Sequence, residues 1–243
     1  MIIRLAEKNI KINNIYPYIE KYCHDYLIDE NSDVDFSIQI SLSDIEFEKK
    51  KSAVTDKKEG NPVRNFSDEY LETLAVYRKI ADKLLEYDTL LFHGSVIAVD
   101  GKGYIFTAKS GTGKSTHTRL WREYFGERAV MINDDKPLLK INENSVTAYG
   151  TAWDGKHRLS TNTSAVIYGL CVLERDTVNH IEKADKNQIY PIIVQQTNRS
   201  LIPQNVIPTL KLIDRLIKNV PIYRLGCNME QEAVKVAFNG MQI

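Results

Sequence analysis

The chain lacks an excess of either charge and any long hydrophobic run. Its 243 residues contain 32 basic and 32 acidic side chains, so the formal net charge is zero. Proteins that bind nucleic acid usually carry a basic excess, and this balance argues against a nucleic-acid partner. No apolar run approaches the length of about 18 residues that a membrane span requires, so we expect no membrane partner either.

Cysteine is also scarce. Cys23, Cys171 and Cys227 are too few and too widely spaced for a disulfide framework or for the paired ligands of structural zinc. The first ten residues carry charges where a secretory signal would need an apolar stretch. Both observations favour a cytoplasmic protein, and a hydrophobic content of 43% decides against wholesale disorder.

A polar stretch divides the chain into two parts. From Glu46 to Ser67 most residues are charged or small and no apolar period is visible, which predicts a solvated loop or hairpin. We therefore predict a small N-terminal segment over residues 1–66 and a main domain over residues 67–243. Alternating apolar residues predict a strand over Val34–Ile40, and helical spacing after the loop predicts a helix to about Tyr87.

The main domain alternates β-rich and helical stretches. Residues 90–99 and 104–107, joined by an Asp-Gly turn, predict a hairpin, and a helix is predicted over 115–124. Together with the later elements, this order predicts an α/β fold with a mixed, hairpin-rich sheet and flanking helices. The later strands are predicted at 128–133, 138–141, 146–149, 165–173, 177–181 and 222–225, and the later helices at 188–197, 206–218 and 230–238.

The clearest chemical motif is a glycine-bearing loop between a predicted strand and a predicted helix. It follows the G-x-x-x-x-G-K-[ST] phosphate-loop pattern, except that Ala108 replaces the first glycine. The glycines let backbone amides converge on one anion, Lys114 supplies an ammonium to the phosphates, and the Ser115 hydroxyl can coordinate Mg²⁺. The residues expected to bind the nucleotide are Ser110, Gly111, Thr112, Gly113, Lys114, Ser115 and Thr116.

A pair of carboxylates, Asp134 and Asp135, ends the strand that follows this loop. One carboxylate can hold a metal while the other accepts a proton from an attacking hydroxyl. Two further candidates are His93, in an apolar run before the loop, and the segment Trp153–Arg158, whose Lys156 can contact phosphate. By itself the histidine is more typical of a hydrogen-bonded core residue, and the segment of a polar turn. His117, just after the loop, can lie near the phosphates, but a position on the surface of its helix is favoured.

In combination these motifs resemble the HPr kinase and phosphoenolpyruvate-carboxykinase-like P-loop superfamily. The matching residues are His93-Gly94, the loop Ser110–Thr116 and the aspartate pair. The stretch Gly150–Lys156 is similar to the G-T-P-W-x-G-K segment of small HPr-kinase-related proteins, with Ala152 in place of proline. The resemblance covers residues 90–175 well and implies a P-loop core of this superfamily's type, preceded by the small N-terminal segment.

The resemblance also implies an activity. It points to an ATP- and Mg²⁺-dependent kinase that transfers the γ-phosphate to a hydroxyl. Lys114 would then bind phosphate, Ser115 and Asp135 would hold Mg²⁺, Asp134 would be the base, and His93 would assist, although either aspartate of the pair can be the base. The resemblance likewise favours a nucleotide contact for Lys156. The chain lacks the arginine-rich C-terminal signature of full HPr kinase/phosphorylases, so the resemblance does not identify the acceptor. The acceptor hydroxyl can belong to a serine of a protein or peptide or to a small molecule.

Two other functions stay open at this point. The chain can be a nucleotide-binding regulatory protein with little or no phosphotransfer, or a scaffold that retains a relic loop. A regulatory protein does not need a spare base, and an intact Lys114-Ser115-Thr116 argues against a relic. The apolar stripe over residues 188–218 is typical of a core, although it would also suit the interface of a homo-oligomer or the acceptor site.

Overall fold

The computed structural model describes residues 1–58, 60–109, 111–155 and 157–242, and it shows an α/β protein. Cα proximity divides the chain into two compact units, Met1–Lys83 and Leu84–Ile243. Over the described residues, every helix is too short or too polar to cross a bilayer.

The described residues of the first unit form a three-stranded sheet and three α-helices. Strand β2 lies between β1, to which it is antiparallel, and β3, to which it is parallel. The predicted strand over Val34–Ile40 and the predicted helix after the polar stretch are confirmed as β3 and α3. The elements are β1 (Ile2–Leu5), β2 (Lys8–Asn13), β3 (Phe36–Gln39), α1 (Tyr18–Tyr22), α2 (Leu42–Lys58) and α3 (Asp68–Leu84). The contacts group nearly all of α3 with this unit, whereas the functional division at residue 66 stays a prediction.

The predicted loop or hairpin from Glu46 to Ser67 is wrong over most of its length, because α2 continues to Lys58. The helix has no apolar stripe that the sequence alone could reveal. Ion pairs with α3 stabilise it instead: the Arg78 guanidinium lies 2.6 Å from the buried Glu48 carboxylate and 3.3 Å from Asp44. Partners 30 or more residues apart in sequence leave no periodic signal, so the pattern alone resembles a solvated loop.

In the part of the second unit that the structure describes, nine strands form a mixed sheet. Its strands lie in the order β4-β8-β9-β10-β6-β5-β7, and β12 pairs with both β10 and β11. Among the described strands of this sheet, only the β6–β10 and β10–β12 pairs are parallel. The strands are β4 (Thr89–Leu91), β5 (Ser95–Val99), β6 (Lys102–Thr107), β7 (Ala129–Asn133), β8 (Leu138–Ile141), β9 (Val146–Tyr149), β10 (Ser164–Arg175), β11 (His180–Lys183) and β12 (Ile222–Cys227), and the helices are α4 (Lys114–Phe125), α5 (Lys186–Gln196), α6 (Val206–Asn219) and α7 (Glu232–Gly240).

Helices cover this sheet on both faces. Alternate residues of β5 and β6 join two different apolar clusters: Val96 and Ile105 pack in the cluster with α5 and α6, whereas Ile97 and Phe106 pack in the cluster with α4 and α7. Successive strand residues point to opposite faces, so each strand contributes to both clusters. The predicted hairpin and mixed sheet are confirmed, and the double burial explains why the sequence of β5 is a continuous apolar run.

Gly150, just after β9, leaves no space for a side chain, and this gives a stability prediction. A Cβ at this position would overlap the carbonyl oxygen of Thr161 and lie 2.7 Å from that of Ile132. Backbone atoms cannot withdraw as a flexible side chain can, so we expect Gly150→Ala to lower the free energy of unfolding by about 3 kcal/mol in chemical denaturation.

The matched control for this substitution is Gly101→Ala. Gly101 has a φ of 79°, but the space that a Cβ would occupy there is open, so only backbone strain of about 1–2 kcal/mol is expected. If the two variants lost equal stability, steric overlap at Gly150 would not be the cause.

Candidate functional site

The loop between β6 and α4 has the backbone that an anion site requires. It turns through Gly111, with a φ of 78°, and Gly113, with a φ of 126°. Residues with a Cβ rarely adopt either of these φ values, so glycine is required at each position. Ala108 is not among the described residues with positive φ, and its side chain is buried against α4 and α7, so it replaces the motif's glycine without backbone strain. Ser110, predicted to contact the nucleotide, lies outside the described residues.

Lys114 begins α4 and turns its ammonium back toward the loop. Its Nζ donates to the Ala108 carbonyl at 3.4 Å. Burial lowers the pKa of Lys114, and the negative charges of Asp135 and Asp134 oppose that shift without cancelling it. Both carboxylates therefore lie near enough to act on the lysine. A buried ammonium has lost part of its hydration. A polyanionic ligand at the helix N-terminus would compensate for that loss, so the site favours such a ligand.

Arg175, at the end of β10, fixes the same loop from another side. Its guanidinium donates to the carbonyl oxygens of Gly111 at 2.5 Å and Thr112 at 3.2 Å. These bonds restrain the two loop carbonyls and, with them, the backbone amide of Thr112 that lies between them. Sequence spacing could not identify this residue, since a single arginine so far beyond the loop belongs to no motif.

Asp134 is held in place by hydroxyl groups from two elements. Its side chain is buried, and its Oδ1 accepts from the Ser95 hydroxyl of β5 at 3.0 Å and the Thr118 hydroxyl of α4 at 3.5 Å. Thr118 lies one helical turn after Lys114, so the bond connects the carboxylate to the helix that follows the loop. Its other oxygen, Oδ2, lies beside Gly155, where a Cβ would approach it to 2.9 Å.

Asp135 faces His93. The His93 Nε2 lies 3.4 Å from the Asp135 carboxylate, and its Nδ1 lies 2.7 Å from the Gln196 side-chain oxygen at the end of α5. Burial raises the pKa of Asp135, but the hydrogen bond with His93 and the charge of Lys136 outweigh it, so the net shift is downward. Asp135 is therefore a stably ionised carboxylate with a side chain 30% exposed.

The structure thus brings Lys114, Asp134, Asp135 and His93 into one region. The turn that orients the aspartates starts at Asn133, whose side-chain oxygen accepts from the backbone amides of Asp135 and Lys136. No sequence motif marked Asn133, although an Asn before an acidic pair at a strand end is typical of such a turn.

The predicted segment Trp153–Arg158 lies beside the acidic pair. Gly155 is next to the Asp134 carboxylate, and the side-chain nitrogen of Asn133 donates to the Trp153 carbonyl at 3.4 Å. In the same segment the Arg158 guanidinium lies 3.6 Å from the Asp154 carboxylate. Burial raises the pKa of Asp154. Lys156, predicted to bind the nucleotide, lies outside the described residues, so its role stays a prediction.

The described residues do not contain a group of three or more His, Cys, Asp and Glu side chains arranged to hold a metal. Mg²⁺ commonly needs only one or two protein ligands when phosphate oxygens and waters complete its shell. Ser115, exposed on the first turn of α4, and Asp135 supply oxygen donors of the type that Mg²⁺ prefers. The donor chemistry therefore fits the predicted metal.

The prediction that His117 lies on the helix surface is wrong. Its side chain is buried, its ring packs edge-on against Phe106 at 4.6 Å, and Trp121 donates to its Nε2 at 3.0 Å. The first turn of α4 rests on the sheet, and sequence position beside a polar loop does not reveal that contact.

The structure titled Hpr(Ser) kinase/phosphatase from Coxiella burnetii aligns with a TM-score of 0.36 and 9% sequence identity, over 63% of this chain and 96% of that chain. No family model matches the chain. No curated protein matches its sequence. The function is therefore inferred from the site itself.

Proposed function

We propose that the chain is an ATP- and Mg²⁺-dependent kinase that transfers the γ-phosphate to a hydroxyl group. The observation that supports this most strongly is the placement of Lys114 within the electrostatic influence of both Asp134 and Asp135. An anion-binding loop alone serves binding, whereas a loop beside two carboxylates also provides a proton acceptor and a metal ligand.

In this proposal the acceptor oxygen attacks the γ-phosphorus in line. The new O–P bond forms as the bond to the β–γ bridging oxygen breaks, ADP leaves, and the acceptor proton moves to Asp134. The hydroxyls of Ser95 and Thr118 orient one oxygen of that carboxylate, and the other is the proton acceptor beside Gly155. Lys114 offsets the negative charge on the phosphates, and such preorganised charge is typically worth a few kcal/mol.

Asp135 and His93 have a different task. An ionised, partly exposed carboxylate suits a metal ligand better than a base, so Asp135 would hold Mg²⁺ together with Ser115. Bound Mg²⁺ would neutralise charge on the β- and γ-phosphates. His93 assists by fixing the carboxylate, because its other ring nitrogen is anchored by Gln196.

The partners proposed are a nucleotide and a hydroxyl acceptor, which is a protein, a peptide or a small molecule. The direct test incubates the pure protein with γ-labelled ATP, Mg²⁺ and a panel of such acceptors. Label transfer that requires both Mg²⁺ and an acceptor would support the kinase.

One observation favours the second candidate, a nucleotide-binding regulatory protein. Asp134 is only 4% exposed, which is little access for an incoming hydroxyl. ATP binding without label transfer to any acceptor in the panel would favour that function over the kinase.

Gly155 provides a prediction specific to transfer. A Cβ would lie 2.9 Å from the Asp134 Oδ2, the oxygen that the proposal leaves open to the acceptor. We expect Gly155→Ala to lower the rate of transfer by roughly 100-fold, since small displacements of reacting groups have effects of this size. ATP affinity, measured by calorimetry, should change less than about threefold, since Asp134 is not proposed to bind the nucleotide. Equal losses of rate and affinity would contradict the role given to Oδ2.

A further inference from the structure

A network of hydrogen bonds lies beneath the turn that carries the acidic pair. Asn133 and Thr151 form its centre, and both residues are fully buried. The Asn133 side-chain nitrogen donates to the Thr151 hydroxyl at 3.0 Å. The Asn133 side-chain oxygen accepts from the backbone amides of Asp135 and Lys136 at 2.9 and 2.6 Å. Both ends of the buried amide group are therefore bonded, and such a network favours one arrangement of the chain.

Thr151 contacts this turn at both of its ends. Its hydroxyl accepts from Asn133, the first residue of the turn, and lies 3.2 Å from the carbonyl oxygen of Lys136, the last. Asp134 and Asp135 are the two residues between those ends. Neither carboxylate can move far with its backbone unless a bond to this buried hydroxyl breaks, and an unpaired buried group is costly.

The same hydroxyl connects the turn to the segment on its other side. It lies 3.2 Å from the carbonyl oxygen of Trp153, and its single hydrogen is shared between this oxygen and that of Lys136. Trp153 comes two residues before Gly155, which adjoins the Asp134 Oδ2. The network therefore fixes the distance between that oxygen and the backbone of Gly155.

We propose that Thr151 is a positioning residue for phosphoryl transfer: together with Asn133, it holds the two carboxylates and the Gly155 backbone at the spacing that the reaction requires. Because its side chain is fully buried, Thr151 acts through the carboxylates and not on the substrate. The inference rests on the proposed function, in which both Asp134 and Asp135 take part in transfer.

Thr151→Val tests the hydroxyl, because valine keeps the branched shape of the side chain and cannot form these bonds. We expect the rate at saturating ATP to fall roughly 10- to 100-fold, since small displacements of reacting groups have effects of this size. The Mg²⁺ concentration for half-maximal rate should rise about tenfold, as is usual when the support of a metal ligand is removed.

The matched control is Thr151→Ser, which keeps the hydroxyl and loses a methyl group. Its rate and its Mg²⁺ requirement should both stay within about threefold of wild type. If Thr151→Val does not fold, Thr151→Cys takes its place, because a thiol is only a weak hydrogen-bond donor and acceptor. That variant should change the rate and the Mg²⁺ requirement in the same directions as valine, by smaller factors.

Amide hydrogen exchange, followed by NMR without nucleotide, gives a measurement that does not depend on activity. In Thr151→Val the amides of Asp135 and Lys136, which bond to Asn133, should exchange about tenfold faster than in wild type. The amides of the β5–β6 hairpin serve as the internal reference, and their exchange should change much less. A general loss of stability would instead accelerate both groups equally.

The two measurements together decide the proposal. Unchanged exchange at Asp135 and Lys136, or equal acceleration in the hairpin, would overturn it, because the hydroxyl would not hold the turn. Faster exchange at the turn with a normal rate and a normal Mg²⁺ requirement would also overturn it, because the network would then stabilise the fold alone. If wild type transfers phosphate to no acceptor, the proposed function fails, and this inference fails with it.

Discussion

Asp134→Asn is expected to reduce phosphoryl transfer by roughly 100- to 10,000-fold, the usual contribution of a general base. Asparagine has nearly the same shape and can still accept the hydroxyl bonds from Ser95 and Thr118 at Oδ1. It cannot accept a proton, so the loss should fall on the rate and leave the ATP dissociation constant within about threefold of wild type. The measurements are initial rates at saturating labelled ATP and calorimetric titration with ATP.

The matched control is Asp135→Asn, which removes the neighbouring carboxylate. If Asp135 holds the metal, this variant should need about tenfold more Mg²⁺ for half-maximal rate and should recover part of its rate at high Mg²⁺. Near-normal transfer by Asp134→Asn would reject its role as base. Loss of transfer in Asp135→Asn at an unchanged Mg²⁺ requirement would exchange the two roles.

Much of the second unit could be predicted from sequence because its signals are local. The hairpin β5–β6 has an Asp-Gly turn between two apolar runs, and α4 follows a loop whose glycines both have positive φ. These features depend on adjacent residues, which a single sequence displays directly. The predicted start of β11 was less accurate: Asp176 accepts from two following amides, and the strand begins only at His180.

The missed features depend on partners far away in the chain. Helix α2 is stabilised by Arg78, which lies 30 residues beyond Glu48, and the loop is restrained by Arg175, which lies 64 residues beyond Gly111. The burial of His117 depends on its packing against Phe106 of β6. Such contacts are set by tertiary packing, so residue type and spacing alone could not identify them.

The candidate site was predicted as a set of residues and not as a geometry. The motifs marked His93, Lys114 and the aspartate pair, and the structure brings them near one another. It adds that hydroxyl groups bond one oxygen of Asp134, whereas each oxygen of Asp135 lies 3.4 Å from a basic group, His93 or Lys136. This difference supports the separate roles proposed for the two carboxylates.

Lys114→Met should change nucleotide binding and stability in opposite directions. The ammonium is expected to make a charge-assisted bond to phosphate, worth about 1.5–3 kcal/mol, so ATP affinity should fall about 10- to 100-fold. Without nucleotide, however, burial lowers the pKa of Lys114, which means that the folded chain disfavours the charged form. Methionine keeps the length of the side chain and removes that charge, so the melting temperature of the nucleotide-free protein should rise.

The dependence of stability on pH checks the same account. The pKa of Lys114 is lower in the folded chain than its ordinary value of 10.5, so the unfolded chain binds this proton more tightly. The free energy of unfolding of wild type should therefore gain from this group as pH rises through the interval between the folded pKa and 10.5. Lys114→Met should lack that gain.

Lys109→Met is the matched control, because Lys109 lies in the same loop with an exposed side chain. It should leave the nucleotide-free melting temperature unchanged and lower ATP affinity much less, since an exposed ammonium has lost little hydration. If Lys114→Met melted lower than wild type and still bound ATP normally, its ammonium would be a structural group. The proposed kinase site would then lack the cation that it needs for the phosphates, because Lys114 is the residue placed to supply it.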